Sequence, residues 1–201
     1  KAFSTDAGFE VASLGVQVHG GMGFVEETGA AQLLRDARIL TIYEGTTAIQ
    51  ANDLVGRKTA RDGGQTAKGI AAQVQATEVE LVAQGSGHSL AVAKRLAAAR
   101  EAYVDVVEFI ASNTRTNPNA AFAGSVPYLM LAGNLVAGWQ LARSLLVAQT
   151  AAAQAEDAAF MAAKVTTARF YADHLLAKAP GLRDSIVEGA DSVTALAVEA
   201  F

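Results

Sequence analysis

The spacing of apolar residues along the first part of the chain predicts three helices. Apolar residues at positions 3, 7, 11, 14 and 18 recur every three or four residues, which places them on one face of a helix. This helix should end at Gly20 and Gly21, because glycine takes the left-handed conformation that often ends helices. We then predict a loop over residues 22–27, a helix over 28–37 with Thr28 as its N-cap, an extended or irregular connection over 39–44, and a helix over 46–55 closed by Gly56.

The second part of the chain has a different pattern. Residues 56–65 are rich in charged residues and glycine, and they are the best candidate for a linker. The alanine-rich amphipathic segments that follow, which are long and joined by short loops, favour an antiparallel bundle. These segments cover residues 66–84, 89–114, 126–154 and 156–179; Pro180 and Gly181 should end the last one, and short terminal helices are predicted over 182–187 and 192–201.

The composition agrees with an all-α fold and excludes several classes of function. Alanine, the best helix former, is frequent, and the 201 residues include only three prolines. A formal charge of −4 without a basic run argues against nucleic acid as a partner, since phosphate binding needs clustered Lys and Arg. No apolar run reaches the roughly 18 residues that would span a bilayer, so no transmembrane segment is predicted.

Two further features bear on where the protein is located and on whether the chain is part of a longer protein. The absence of cysteine excludes disulfides, thiolate metal sites and a cysteine nucleophile, and it fits a reducing cytoplasm, which we take as the expected location. The chain begins at Lys1 inside a helical pattern, and we therefore expect it to be a piece of a longer protein.

The strongest candidate for chemistry is Glu44, within the sequence TIYEGTTAIQ at residues 41–50. Apolar neighbours raise the pKa of a carboxyl group, and this suits a general base. Gly45 lets a ligand approach the backbone, and the following threonine can supply an N-cap oxygen to a helix. Taken alone, the stretch is more commonly a helix start whose acidic residue complements the helix dipole.

A second candidate is the glycine-rich segment QVHGGMGF at residues 17–24. Its glycines follow a helix instead of a strand, so the dinucleotide fingerprint of a Rossmann domain does not apply. Exposed amides of Gly20 and Gly21 could hold a pyrophosphate by close approach, although a helix-ending loop is the commoner meaning of such a pattern. His88 and His174 stand alone without ligand spacing, and no metal site is predicted.

In combination, QVHGGMGF, LLRDARI at residues 33–39 and TIYEGTTAIQ strongly resemble the C-terminal helical domain of FAD-dependent acyl-CoA dehydrogenases. This resemblance covers roughly residues 1–58. Residues 65–201 resemble, by position, length and helical character, the extra C-terminal helical domain of a larger subfamily. The resemblance implies an acyl-CoA substrate, electron transfer to an electron-transferring flavoprotein, and a homodimer or homotetramer in which FAD lies between domains and across a subunit interface.

The resemblance also implies roles for single residues. Glu44 matches the base that removes the pro-R α-proton of the thioester while hydride leaves the β-carbon for the flavin, which gives a trans-2-enoyl-CoA. Its backbone amide should donate to the thioester carbonyl, and Gly45 matches the glycine that lies against the substrate. Contacts with FAD are implied for Gln17, Val18, His19, Gly20 and Gly21 from the neighbouring subunit, and for Thr46, Thr47 and Ala48 at the start of the third helix.

Other residues receive structural or open interpretations. Many members of the family have Gln where Ala48 stands, so only its backbone could serve, and Gln50 is a further possible polar contact. Arg35 and Asp36 match a recurrent pair, to which we assign an ion-pair or capping role. Tyr43 is either a wall of the substrate cavity or a packed core residue. Core packing is expected for the aromatic residues of the second part, which are Phe122, Tyr128, Trp139, Phe160, Phe170 and Tyr171.

Two alternatives to a dehydrogenase remain at this point. An acyl-CoA oxidase of the same superfamily would pass its electrons to oxygen, and the chain does not distinguish the two. A non-catalytic helical module would keep the motif residues for packing and oligomerisation alone. No residue set in residues 65–201 has a catalytic pattern, so we expect this part to act in assembly or in covering the acyl site. We also expect the isolated chain to be inactive.

Overall fold

A computed structural model describes residues 1–200, apart from the side chains of residues 151, 152 and 154. Over these residues the secondary structure is helical and includes no strand, which confirms the predicted all-α class. The chain forms two compact units, one over residues 1–54 and one from Val55 onward.

The first unit contains four helices. They are α1 (Ala2–His19), α2 (Gly21–Phe24), α3 (Ala30–Leu40) and α4 (Thr47–Asp53), with a 3₁₀ turn at Glu26–Thr28. Helix α1 ends at Gly20, which has a φ of 61°, and this agrees with the end predicted at Gly20 and Gly21. The predicted loop over residues 22–27 is wrong, since helical turns occupy most of it. Helix α3 begins after Gly29, because that residue takes the left-handed conformation (φ 77°) while the Thr28 hydroxyl donates to the Met22 carbonyl at 2.8 Å. Helix α3 also includes the first two residues of the connection that was expected to be extended or irregular.

The apolar stripe predicted on α1 is largely exposed in this unit. Val11, Leu14 and Val18 are 67%, 55% and 86% exposed. Helix α3 packs along another face of α1, where Val16 shares a cavity lining with Leu34 and the Arg38 guanidinium lies 5.1 Å from the centre of the Phe9 ring. The spacing of the stripe therefore predicts the helix correctly, but these residues do not face the other helices of this unit.

The candidate linker over residues 56–65 lies close to the boundary between the two units, but most of it is helical. Helix α4 continues directly into a π-helix (Leu54–Thr59) and a 3₁₀ turn (Ala60–Asp62). Val55 and Thr59 are buried, and the Thr59 hydroxyl bonds to the Tyr128 hydroxyl at 2.9 Å. Because these two residues are anchored in the core of the second unit, a stretch with a linker-like composition is held in helical turns.

The second unit is built on four long helices. They are α5 (Gln65–Gln84), α6 (Gly87–Asn113), α8 (Ser125–Ala148) and α10 (Ala158–His174). Helices α5 and α6 run antiparallel, since Lys68 pairs with Glu108 and Glu78 with Arg100 across them. The core between these helices is aliphatic and includes the fully buried Leu81, Leu96, Ile110, Leu131, Leu135 and Leu145.

Short helices complete this unit and correct several boundaries. They are α7 (Pro118–Ala123), α9 (Ala151–Glu156), α11 (Ala179–Val187) and α12 (Ala190–Val193). Pro180 does not end a helix but lies in the first turn of α11, where the missing N–H of proline is not needed. The helix predicted over residues 192–201 is reduced to the end of α12 and a 3₁₀ turn at Val198–Ala200, and its last residue lies outside the described range.

The aromatic residues of the second unit differ in burial, and Phe122, Trp139 and Tyr171 are half-buried. Tyr128 is fully buried and stacks on Tyr103 with ring centres 5.9 Å apart, as core packing predicts. Phe160 and Phe170 are 52% and 59% exposed, so core packing was the wrong prediction for them. Each instead covers a neighbour on its own helix: Lys164 lies over the Phe160 ring and His174 against the Phe170 ring. None of the helices that the structure describes combines the length and apolar character needed to cross a membrane.

Candidate active site

Glu44 lies exposed in the turn between α3 and α4, and its backbone is strained. Its φ of 53° is the only positive φ among the described residues other than glycine, and Gly45 follows with a φ of 90°. The left-handed conformation costs an L-residue roughly 1–2 kcal/mol, because Cβ comes close to the following carbonyl. Strain of this kind persists where the surroundings enforce it, and it concentrates at functional sites.

Three side-chain contacts hold this turn in place. The Gln50 side-chain amide donates to the Glu44 carbonyl at 2.9 Å, and the Lys1 ammonium donates to the Gly45 carbonyl at 2.9 Å. The Thr47 hydroxyl donates to the Asp6 carboxylate, with distances of 2.9 and 3.0 Å to its two oxygens. The turn is thus bound to α1 on one side and to α4 on the other.

The position of Gly45 requires glycine for reasons within the unit itself. A Cβ added there would lie 2.9 Å from the Gln50 amide nitrogen and 3.4 Å from a methyl group of Ile49. The positive φ adds strain to any such substitution. A contact between Gly45 and a substrate stays a prediction.

The start of α4 differs in detail from the sequence expectation. Thr46 occupies the N-cap position, but its hydroxyl makes no capping hydrogen bond to the helix. Thr47 is half-buried and its hydroxyl is directed at Asp6, whereas Thr46 and Ala48 are exposed. A ligand at this helix start would therefore meet the side chain of Thr46 and backbone groups of the first turn.

The glycine-rich segment forms an exposed corner after α1. Gln17, Val18, His19, Gly20 and Gly21 are all exposed. The Gly20 amide donates to the Gln17 carbonyl at 3.1 Å, and its carbonyl accepts from the Gly23 amide at 2.9 Å. His19 Nδ1 lies 2.9 Å from the Gly15 carbonyl, and because a carbonyl only accepts, this nitrogen carries the proton.

Gly23 is a structural residue that sequence reasoning missed. A Cβ at this position would lie 2.3 Å from the Val16 carbonyl oxygen, because α2 folds back onto the last turns of α1. The three glycines of HGGMG therefore have separate tasks. Gly20 supplies a positive φ, Gly21 leaves open space beside the backbone, and Gly23 permits close packing.

Arg35 has the structural role that the sequence predicts, with Glu26 as its partner. Its guanidinium makes two hydrogen bonds to the Glu26 carboxylate, at 2.8 and 2.7 Å. These bonds lower the pKa of Glu26 and raise that of Arg35. Asp36 instead accepts from the Gln32 amide at 2.6 Å. The Arg35 pair ties the turn after α2 to α3, beside a cavity of about 540 Å³ lined by Val16, Phe24, Val25 and Leu34.

The two predicted ligand-binding segments lie at opposite ends of α1. Lys1 and Asp6, near its start, contact the Glu44 turn, whereas Gly20 and Gly21 follow its last residue. A helix of 18 residues is roughly 27 Å long. The structure therefore does not bring the two segments together within one copy of the chain. Among the residues described here, no group of three or more His, Cys, Asp and Glu forms a metal site.

Comparison with known protein families accounts for nearly the whole chain. Residues 1–58 match the family described as acyl-CoA dehydrogenase, C-terminal domain, and residues 66–197 match the family described as acetyl-CoA dehydrogenase C-terminal like. The chain belongs to the acyl-CoA dehydrogenase family and represents its C-terminal helical region.

Three relatives with named activities align along most of the chain. It is 51% identical over 193 residues to 3-methylmercaptopropionyl-CoA dehydrogenase of Ruegeria pomeroyi, covering 96% of this chain and 33% of that protein. It is 34% identical over 183 residues to the broad-specificity linear acyl-CoA dehydrogenase FadE5 of Mycobacterium tuberculosis, covering 85% and 29%. A butyryl-CoA dehydrogenase of Syntrophomonas wolfei is 27% identical over 191 residues, covering 92% and 31%. The chain thus spans about a third of the length of these relatives.

Proposed function

We propose that this chain is the C-terminal part of a flavin-dependent acyl-CoA dehydrogenase, with Glu44 as the base that removes the α-proton of the thioester. The observation that carries the proposal is the enforced left-handed turn at Glu44, which presents an exposed carboxylate in the EGTT sequence. Membership of the family supports it, and so do the names of the three relatives described above, which are dehydrogenases of CoA thioesters.

The chemistry asks for the groups that this turn offers. The α-proton of a thioester is only weakly acidic, so its removal needs a placed base and hydrogen-bond donors aimed at the developing enolate oxygen. We assign the first task to the Glu44 carboxylate and the second to the Glu44 backbone N–H. In this proposal the backbone of Gly45 lies against the substrate. The remaining walls of the acyl cavity belong, in this proposal, to the part of the protein outside this chain.

The residues present fit FAD as the cofactor of the complete protein. When bound, FAD supplies the acceptor for the hydride that leaves the β-carbon. A Cβ added at Gly20 or Gly21 would meet nothing within 4 Å, so a large ligand has room to approach these amides. At the other end of α1, Thr46 offers its hydroxyl, and Thr47 and Ala48 offer backbone groups at the start of α4.

The distance between these two segments supports a site shared between subunits. Ends of α1 that lie roughly 27 Å apart cannot both meet one reacting centre from a single copy. In our proposal the Glu44 turn acts in its own active site, while residues 17–21 contact the FAD of a neighbouring copy. A homodimer or homotetramer follows from this arrangement, and an electron-transferring flavoprotein is the proposed electron acceptor.

The test uses the full-length protein with Glu44→Gln. The variant should bind an acyl-CoA, with butyryl-CoA and 3-methylmercaptopropionyl-CoA as the first substrates to try, yet fail to bleach its flavin under anaerobic conditions. Removing a general base typically slows the chemical step by about 10²- to 10⁴-fold. Glu10→Gln, an exposed glutamate on α1, is the matched control and should bleach normally. Normal bleaching by Glu44→Gln would remove Glu44 from the mechanism.

The same preparation separates the alternatives. Rapid formation of hydrogen peroxide in air would indicate an acyl-CoA oxidase instead of a dehydrogenase. A full-length protein that purifies without flavin and cannot be reconstituted with FAD would indicate a non-catalytic helical module.

A further inference from the structure

Gln50 stands out because its side chain reaches back across the first turn of α4. Its backbone N–H donates to the Thr46 carbonyl at 3.0 Å, as in a regular helix, while its side-chain amide donates to the Glu44 carbonyl at 2.9 Å. The residue is half-buried, and its amide nitrogen occupies the space that a side chain at Gly45 would need. Gln50 therefore fills the inner side of the Glu44 turn.

We propose that Gln50 is a positioning residue for Glu44, and that it acts through the peptide between Glu44 and Gly45. This inference rests on the proposed function of Glu44 as the base. The side-chain N–H of Gln50 donates to the Glu44 carbonyl, and Gln50 therefore acts on the site through this hydrogen bond.

The hydrogen bond to this carbonyl fixes the orientation of the whole Glu44–Gly45 peptide group. The peptide is planar and its C=O and N–H point in opposite directions, so a fixed Glu44 carbonyl also fixes the Gly45 N–H, which points away from Gln50. The bond limits rotation about ψ of Glu44, and thereby the direction of its side chain relative to that peptide. Lys1 restrains the next peptide in the same way, through the Gly45 carbonyl at 2.9 Å.

Such a restraint matters because the Glu44 conformation is not one that the residue prefers. With a φ of 53°, Glu44 relaxes to the ordinary right-handed or extended regions once the turn is released. Relaxation would move the carboxylate away from the α-carbon of a bound thioester. Small displacements of a catalytic group cost much of the rate, of the order of 100-fold for 1 Å.

The experiment compares two substitutions in the full-length, flavin-loaded protein. Gln50→Met keeps the length of the side chain and removes the donor, whereas Gln50→Lys keeps a donor at similar reach. Under anaerobic single-turnover conditions with butyryl-CoA, Gln50→Met should reduce the rate constant of flavin reduction roughly ten-fold, with the substrate Kd changed less than about two-fold. Gln50→Lys should recover part of the rate. Gln73→Met, an exposed glutamine on α5, is the control and should leave both values unchanged.

A second measurement does not depend on turnover. Hydrogen–deuterium exchange of the peptide covering residues 41–50, without substrate, should be several-fold faster in Gln50→Met than in the wild type or Gln73→Met. If Gln50→Met loses its flavin, Gln50→Glu serves in its place, because an ionised carboxylate has the same shape and cannot donate.

The outcomes distinguish this inference from the proposed function. Unchanged exchange and an unchanged reduction rate in Gln50→Met overturn the positioning role. Faster exchange with an unchanged reduction rate also overturns it, because the bond would then serve stability alone. Wild-type reduction by Glu44→Gln overturns the proposed function itself, whatever Gln50→Met does.

Discussion

At the scale of single residues, Glu78 and Arg100 form an ion pair in the interior of the second unit. Their side chains are only 10% and 16% exposed and meet at 2.8 Å across α5 and α6. The hydrogen bond that Arg100 Nε donates to the Glu78 carboxylate is the main cause that raises the pKa of Arg100. Next to Glu78 on α5, the Thr77 hydroxyl accepts a hydrogen bond from Trp139 Nε1 at 2.8 Å. The polar contacts in this part of the core therefore also involve α8.

Removal of one partner should destabilise the second unit strongly. In Arg100→Met the carboxylate of Glu78 stays buried without its cation, which we expect to lower the free energy of unfolding by about 3 kcal/mol. The control is Lys68→Met in the exposed pair Lys68–Glu108, where we expect less than about 1 kcal/mol. Urea unfolding followed by the fluorescence of Trp139, the single tryptophan, measures both. Equal losses in the two variants would contradict this account.

The sequence singles out the residues of the candidate site, which stay a prediction, but it does not indicate their geometry. The motif singles out Glu44 and Gly45, and their glycine and threonine neighbours indicate a helix start. Nothing in the sequence indicates that Glu44 is left-handed, or that Gln50, Lys1 and Asp6 enforce it, because these bonds join residues as far as 44 positions apart. The partner of Arg35 was missed for a similar reason, since Glu26 lies nine residues earlier, beyond helix spacing.

At the scale of elements, the apolar spacing predicts the helices well because their periodicity is local. Helix α5, for example, begins one residue before its predicted start and ends where predicted. The errors occur where packing overrides composition. Residues 56–65 read as a linker, yet Val55 and Thr59 are buried and hold them in helical turns, and Pro180 starts a helix that it was expected to end.

Two glycines within helices of the second unit should respond to alanine with opposite signs. At Gly138 in α8, a Cβ would lie 2.7 Å from two methyl groups of the buried Leu176, so Gly138→Ala should cost about 1–3 kcal/mol through overpacking. At Gly69 in α5, a Cβ would meet nothing within 4 Å, so Gly69→Ala should stabilise by about 0.5–1 kcal/mol. Thermal unfolding of the two variants measures the difference, and a shift of the same sign in both would be evidence against it.

At the scale of the whole molecule, the two units differ in how completely they bury their own apolar residues. The second unit has an aliphatic core of leucine, isoleucine and valine side chains, whereas the buried apolar residues of the first unit are the alanines Ala2, Ala30 and Ala51. Because the chain spans about a third of the length of its relatives, we propose residues 1–58 as part of a larger catalytic domain and residues 65–201 as an additional helical domain.

Deletion of residues 65–201 from the full-length protein tests the role of that additional domain. If it acts in assembly or in covering the acyl site, the truncated protein should change its oligomeric state or its preference among acyl chain lengths. Sedimentation and kcat/KM across a series of acyl-CoA thioesters measure these properties, with flavin content as the check that the catalytic domain is folded. Unchanged assembly together with unchanged kinetics would refute the proposal.

Because of the left-handed backbone at Glu44, stability and the proposed activity favour different residues at this position. Glycine takes a φ of 53° without strain, so a selection for stability alone would favour Glu44→Gly, a change of up to about 1 kcal/mol. The proposed chemistry requires the carboxylate that glycine lacks. A thermostabilised version of this protein obtained without an activity screen is therefore prone to lose the proposed base, and this position should be held fixed when the protein is engineered.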